Sequence, residues 1–412
     1  MSEPAYSRVR ILLFFAMLLL PVSFGQAGEL KLNRGINVWP LVGNVCRSKD
    51  PDEKYCKKLF PPLDIADLEQ KFSQLKEVGF DFVRVPIDAG PFIDLGEAAA
   101  PWIERLKTFI EIAEGRGLSV IIDYHHGGVY KYTDLAADPE LMVGLGRFYA
   151  RLAKRLRDGK HERVIIEVLN EPTTSCDDPS WDRWRLALHS AIREAVKDFP
   201  IMVGGACWNS ISSLLRIDPK QFDANTYYTF HFYDPYFFTH QGATWNSNAG
   251  IKVLTGVPWP AAAGSLDQTI AAIDANLEKN PTYQKVGAPS REQAVQLARK
   301  YFAEASDVAK LEAELDKVTA WADRNGVPRS HVVMGEFGVL KRERHYFGAD
   351  MASTIRWLEA VRTIAEARRL PWAMWNYTKG MALTLNDETD ELHTPLLTAL
   401  GLRPPSDRRA PQ

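Results

Sequence analysis

Eight short runs of apolar, largely β-branched residues recur along the chain, and this alternation with longer amphipathic stretches limits the fold more than any other feature. The runs are Leu32–Val38, Phe82–Pro86, Leu118–Tyr124, Val164–Leu169, Ile201–Gly205, Thr226–His231, Val332–Gly335 and Trp372–Trp375. Amphipathic segments such as Asp64–Val78, Trp102–Arg116, Pro139–Arg157, Ser180–Lys197 and Ala349–Ala367 lie between them with helical spacing. Strands apolar on both faces are those of a parallel sheet covered by helices. Eight such units in one chain predict an α/β fold, a single (β/α)8 TIM barrel. A doubly wound sheet would want a Gly-rich phosphate turn after its first strand, where this chain has Gly35-Ile36-Asn37.

The first 27 residues stand outside that pattern. Arg8 and Arg10 precede the apolar run Ile11–Leu20, and Gly25-Gln26-Ala27 offers the small residues of a cleavage site. Residues 1–27 are therefore expected to be a secretory signal, 28–400 the catalytic barrel and 401–412, rich in Pro and Arg, a flexible tail. No later run is long enough for a membrane helix, so the expectation is a secreted or periplasmic protein without membrane contact once the signal is removed. A formal net charge of −2 gives it no electrostatic reason to bind nucleic acid. A monomer is expected. Four cysteines in an exported chain can pair three ways, of which Cys46–Cys56 and Cys176–Cys207 are favoured, and their spacing matches no zinc or haem motif. From about 234 to 290, clusters of Pro, Gly and Ala with Trp245 and Trp259 break the rhythm, which reads as a long insertion after the sixth strand on the catalytic face.

Two glutamates carry the chemistry. Glu171 follows the fourth run in V-I-I-E-V-L-N-E-P, and Glu336 follows the seventh in V-V-M-G-E-F-G. Catalytic side chains of a barrel sit at the carboxyl ends of its strands. Two carboxylates facing one cleft are the working parts of a glycosidase, one donating a proton while the other attacks the sugar. Either Glu alone could be a strand-end salt bridge; the pair, with its surroundings, favours an enzyme. Eleven Trp, fourteen Tyr and nineteen Phe supply flat apolar faces, some of which could stack on sugar rings.

These motifs resemble glycoside hydrolase family 5, the cellulase-like retaining glycosidases, over almost the whole length after the signal. Asn170-Glu171-Pro172 looks like the family's acid/base motif, and Glu336 in M-G-E-F-G looks like its nucleophile. Arg84 in V-R-V-P, His125 in D-Y-H-H, His231 and Tyr233 in F-H-F-Y and Trp375 in M-W-N-Y match the family's second-, third-, sixth- and eighth-strand residues. The resemblance implies a secreted β-1,4-glucanase acting on a polysaccharide with no cofactor and no metal.

Elementary chemistry assigns compatible roles. Glu171 must hold a proton near neutral pH, which calls for burial or a neighbouring negative charge. Glu336 must be ionised, and Arg84 could keep it so and orient it. Tyr233 could hold its rotamer, Asn170 could bond the sugar 2-OH, and Trp375 could form a stacking floor. His126, one position beyond His125, would point away if the strand continued. Trp39 and Trp208 follow the first and fifth strands as further platforms, with Asn209 as a possible hydroxyl contact. Rival readings are a mannanase, a glucanase of another linkage, a transglycosylase, a metal-dependent barrel hydrolase using His125, His126 and His231, or a non-catalytic sugar-binding barrel.

Overall fold

The computed structural model describes residues 30–404, except 40, 42–43, 51–52, 127, 280–287, 344–345 and 386–389. The expected signal at 1–27 and most of the expected tail lie outside these residues. All eight expected strands form: Arg34–Asn37, Phe82–Ile87, Ser119–Tyr124, Val164–Glu167, Ile201–Gly204, Thr226–His231, Val332–Phe337 and Trp372–Met374. They pair in parallel in sequence order, and the first closes on the last to complete the barrel.

The helices start and stop where local chemistry says they should. Ile65–Val78 is capped by Asp64, whose side chain accepts from the Asp67 N–H, and ends at Gly79 in the left-handed conformation. Its buried residues Leu68, Phe72, Leu75 and Val78 form one stripe against the sheet. Asp350 caps Met351–Ala367 through the Ser353 N–H at 2.8 Å. That helix turns Trp357, Leu358, Val361 and Ile364 inward.

The inside of the barrel is layered. Near the amino ends of the strands, Leu32, Phe82, Ile121, Ile165, Met202, Val333 and Ala373 form a closed apolar plug, separate from the larger core between sheet and helices. Two residues further along their strands, and so on the same inner face, come Arg84, Asp123 and Glu167, with Asn37 paired to Arg84. The seventh strand reaches this polar layer by an irregularity. Thr229 pairs with Val333 but His231 pairs with Glu336, so one extra residue on the seventh strand turns Glu336 inward.

The segment after the sixth strand is built largely of helices, and these continue past the expected end near 290. It contains the helices Ala249–Val253, Leu266–Lys279 and Ala288–Glu304 before the barrel helix Val308–Asn325. Gln241 stitches its base by donating to the Phe238 and Val257 carbonyls and accepting from the Val257 N–H. The two tryptophans of the insertion part company: Trp259 is buried in the core, while Trp245 is 60 % exposed. At the other end the chain is docked through Leu402, which is buried, and Arg403, whose N–H donates to the Val78 carbonyl at 2.9 Å. Residues 402 and 403, expected to be part of a flexible tail, are thus docked on the barrel.

The plug leaves no room beside Gly35, where an added Cβ would lie 2.3 Å from the Phe82 ring. Gly35→Ala is expected to cost about 1–3 kcal/mol through overpacking, read as a lower urea midpoint at unchanged slope. An unchanged midpoint would contradict the layered interior.

Candidate active site

Arg84 sits at the centre of the polar layer, fully buried. Its Nε donates to Glu167 Oε2 at 2.7 Å and its Nη2 to Glu167 Oε1 at 2.8 Å, a bidentate pair. Nη1 donates to Glu336 Oε1 at 2.8 Å and Asn37 Oδ1 at 2.9 Å, and Nη2 also to Asn170 Oδ1 at 2.8 Å. These five bonds engage all five guanidinium donors. Asp123 Oδ2 lies 3.1 Å from Nη2 as a further ionic contact.

Around this hub the two glutamates find different surroundings. Glu336 is buried, with Oε1 on Arg84 and Oε2 accepting from the Tyr233 hydroxyl at 2.8 Å. Glu171 stands four residues beyond the end of the fourth strand rather than closing it, with φ +41°. That left-handed conformation is costly for a residue with a Cβ. It is held by His126, whose Nε2 lies 2.9 Å from the Glu171 carbonyl oxygen, and by the Asn170 N–H, which donates to the Tyr124 carbonyl. About a quarter of the Glu171 side chain is exposed to the cleft, against 4 % for Glu336. His231 Nδ1 spans the two, 2.7 Å from Glu171 Oε1 and 3.5 Å from Glu336 Oε2.

One guanidinium cannot neutralise four carboxyls gathered in one site, which favours their protonated forms. Burial pushes Glu171 up to about 7, with His125 and Arg84 pulling the other way. Burial likewise raises Asp123 to about 7, against the opposing pull of Arg84. Glu167 and Glu336 are raised by the same cause, the first opposed chiefly by Arg84 and the second by His231 and Arg84. Burial drops His231 to about 4, so its ring is neutral at pH 7. Tyr233 is pushed up by burial and by Glu336, which keeps it a phenol able to donate.

The remaining expected residues line the same mouth. His125 lies between Trp39 and Trp375, with ring centroids 5.9 Å and 5.3 Å away. His126 is not turned away, because the strand ends at Tyr124 and the side-chain alternation ends with it. Trp208 is 53 % exposed and, with Trp245 and Tyr236, lines a cleft of about 680 Å³ that reaches Glu171, His231 and Tyr233. Its loop is in the left-handed conformation over Cys207, Trp208 and Asn209. Two ties hold it there: the Cys176–Cys207 disulfide, and the Trp208 N–H on the Pro172 carbonyl at 3.2 Å. Asn209 is buried against Gly204 and does not face the cleft. The Cys46–Cys56 disulfide closes the loop after the first strand.

Sequence reasoning did not single out Asn37, Asp123 or Glu167. Each is a polar residue inside or at the end of an apolar strand run, and Asp123 and Glu167 stand two positions beyond the plug residues Ile121 and Ile165; that placement was the available signal. Among the described residues, the donors that converge closely enough to share a cation are Glu171, His231 and Glu336, within 4.8 Å of one another, and not the three histidines.

A closed parallel barrel with paired carboxylates at its carboxyl face defines a barrel glycosidase. The cellulase family, glycosyl hydrolase family 5, matches residues 60–380, and the chain belongs to it. It is 26 % identical over 375 residues to endoglucanase 3 of Fibrobacter succinogenes, covering 87 % of this chain and 51 % of that protein. It is 27 % identical over 350 residues to endoglucanase C of Acetivibrio thermocellus, covering 81 % and 91 %. The chain thus spans about half the length of the Fibrobacter relative. The crystal structure of endoglucanase Cel5A from Thermotoga maritima superposes with a TM-score of 0.61 at 26 % identity, over 89 % of this chain and 96 % of that one.

The raised Glu171 carboxyl has a consequence for stability. Its folded pKa of about 7 lies above the ordinary 4.5, so the folded state binds more protons between those values and stability falls as pH rises through that window. Glu171→Gln removes this loss. The variant is expected to exceed wild type by ~1–3 kcal/mol at pH 8, with the gap closing below pH 4.5, as measured by denaturant titration at both values. A gap independent of pH would show that Glu171 is not held protonated by the fold.

Proposed function

We propose that the protein is an exported, endo-acting β-1,4-glucanase that hydrolyses a polysaccharide with retention of anomeric configuration. The observation carrying this reading is the closeness of Glu171 and Glu336, with oxygens within 4.8 Å of each other, one carboxyl held between Arg84 and Tyr233 and the other partly open to the cleft. Retaining glycosidases hold their carboxyls about 5–5.5 Å apart, inverting ones about 6.5–9.5 Å.

Glu336, ionised and fixed by Arg84 and Tyr233, attacks the anomeric carbon. Glu171 takes part through its cleft-facing oxygen, since His231 occupies Oε1. It gives its proton to the departing glycosidic oxygen, then accepts one from the water that releases the glycosyl-enzyme. The neutral His231 ring orients this carboxyl without adding a charge that would strip its proton. Asn170, its Oδ1 held by Arg84, presents its amide N–H groups to the sugar 2-OH, a contact that strengthens as positive charge develops on the ring. Trp375 and Trp39 offer stacking faces on one side of the scissile bond, while Trp208 and Trp245 offer them on the other. Export is supported by the basic, apolar and small-residue segments of residues 1–27, and predicts a mature protein beginning after Ala27.

A second reading, action on β-mannan, has one specific observation in its favour. The Thermotoga relative has been solved with mannotriose as well as cellobiose, at 25 % identity to this chain for both. Glucose and mannose differ at the 2-OH that Asn170 would contact, so the substrate is decided there.

Reducing-sugar release from carboxymethylcellulose, mixed-linkage glucan, mannan, xylan and β-1,3-glucan tests the assignment. Activity on a β-1,4-glucan is expected, unaffected by a chelator and lowered ~10²–10⁴-fold in Glu171→Gln. It should vanish in Glu336→Gln. The acid's pKa of about 7 places the alkaline fall of kcat/KM near pH 7. Inverted products by NMR, or activity surviving both substitutions, would refute the proposal.

A further inference from the structure

The mechanism above uses two of the four buried carboxyls. Of the other two, Glu167 is fully engaged by Arg84, but Asp123 is not: its Oδ1 is buried with no hydrogen-bond partner. Its Oδ2 faces Arg84 Nη2 at 3.1 Å and His125 Nδ1 at 3.4 Å. Arg84 already has both Nη2 protons on Glu167 and Asn170. Asp123 therefore adds charge to Arg84 without taking one of its protons, and its Oδ2 is left to accept from His125.

His125 needs that contact. Trp39 and Trp375 stack on its ring at interplanar angles of 28° and 18°, which fixes the plane of the imidazole. Stacking is equally satisfied by the ring turned half a revolution about its Cβ–Cγ bond, which would exchange Nδ1 for a carbon. It also leaves open which nitrogen carries the proton. Burial lowers the affinity of His125 for a second proton, so the ring works as a neutral imidazole with one donor and one acceptor. Arg84, Glu167, Glu171 and Glu336 also bear on it electrostatically, from the second, fourth and seventh strands and the loop after the fourth.

We propose that Asp123 is a positioning residue that locks His125 with Nδ1–H directed at its own carboxylate, so that Nε2 faces the cleft as a hydrogen-bond acceptor for a sugar hydroxyl. The inference rests on the glucanase reading for the identity of the ligand, while the lock itself is a property of the free protein. The carboxylate orients the imidazole by accepting from one nitrogen, which leaves the other for the ligand. A sugar hydroxyl offered to an Nε2–H tautomer would have to accept instead of donate. The site would then discriminate against sugars whose hydroxyl at that position is absent or methylated, because a buried acceptor would be left unpaired.

The experiment is a long-range nitrogen–proton NMR correlation on protein labelled with 15N-histidine. The His125 signals are assigned by their loss in His125→Gln, and KM and kcat on a cello-oligosaccharide are measured alongside. Wild type is expected to show His125 protonated on Nδ1. Asp123→Asn should keep that tautomer, because its amide oxygen can replace Oδ2. Asp123→Leu should move the proton to Nε2 and raise KM ~10-fold. Nε2 protonation in wild type would overturn the proposal without any variant, so a poorly folded Asp123→Leu cannot shelter it. Unchanged tautomer and KM in a folded Asp123→Leu would overturn it as well. The tautomer is read without turnover, so inactivity on every glucan would sink the proposed function while leaving the lock to stand or fall on its own spectrum.

Discussion

The whole site depends on one buried guanidinium. Arg84 joins side chains from the first, second, fourth and seventh strands and the loop after the fourth, through Asn37, Glu167, Glu336 and Asn170. Taking an arginine out of water is costly unless its charge and donors are all met, and here every donor has an acceptor. The arrangement therefore over-determines the positions of those acceptors. Glu336 cannot swing without leaving a buried donor unpaired, and Asn170 is fixed next to the strained Glu171. Asn37 extends the network by donating to the Gly335 and Met374 carbonyls, so the barrel's own closure is tied to the same hub.

Below the hub the apolar plug keeps water out, and above it the cleft is asymmetric. On one side, Trp39, His125 and Trp375 form a continuous stacked floor. On the other, Trp208 is presented by a left-handed loop pinned to the loop that carries Glu171, and the insertion contributes Tyr236 and Trp245. The insertion is anchored to the barrel by Arg356 of the last long barrel helix, which donates to the Trp259 carbonyl at 2.9 Å. A wall built in this way is a preformed surface.

Much of this was legible in the sequence, because the barrel's strands are apolar on both faces and stand out as runs. The motif residues Arg84, Asn170, Glu171, His231, Tyr233, Glu336 and Trp375 converge as their order along the chain implies. What could not be read has physical reasons. Asp123 and Glu167 sit in strand runs whose alternation is hidden by the apolar residues on both sides. The extra residue that turns Glu336 inward is visible only in the pairing of Phe230 and His231 with the seventh strand. The helices of the insertion could not be placed because Pro, Gly and Ala clusters interrupt their apolar spacing. Trp245 and Trp259 look alike in sequence, and only packing separates the exposed ring from the buried one.

In the proposed mechanism the hub makes Glu336, and not Glu171, the group that forms a bond to the sugar. A 2-deoxy-2-fluoro cellobioside with a good leaving group tests it directly, because the fluorine slows release of the glycosyl-enzyme and lets it accumulate. Peptide mass spectrometry of the trapped protein should place the fluorosugar on Glu336. An adduct on Glu171 or elsewhere, or none under conditions where the enzyme turns over its substrate, would contradict the account.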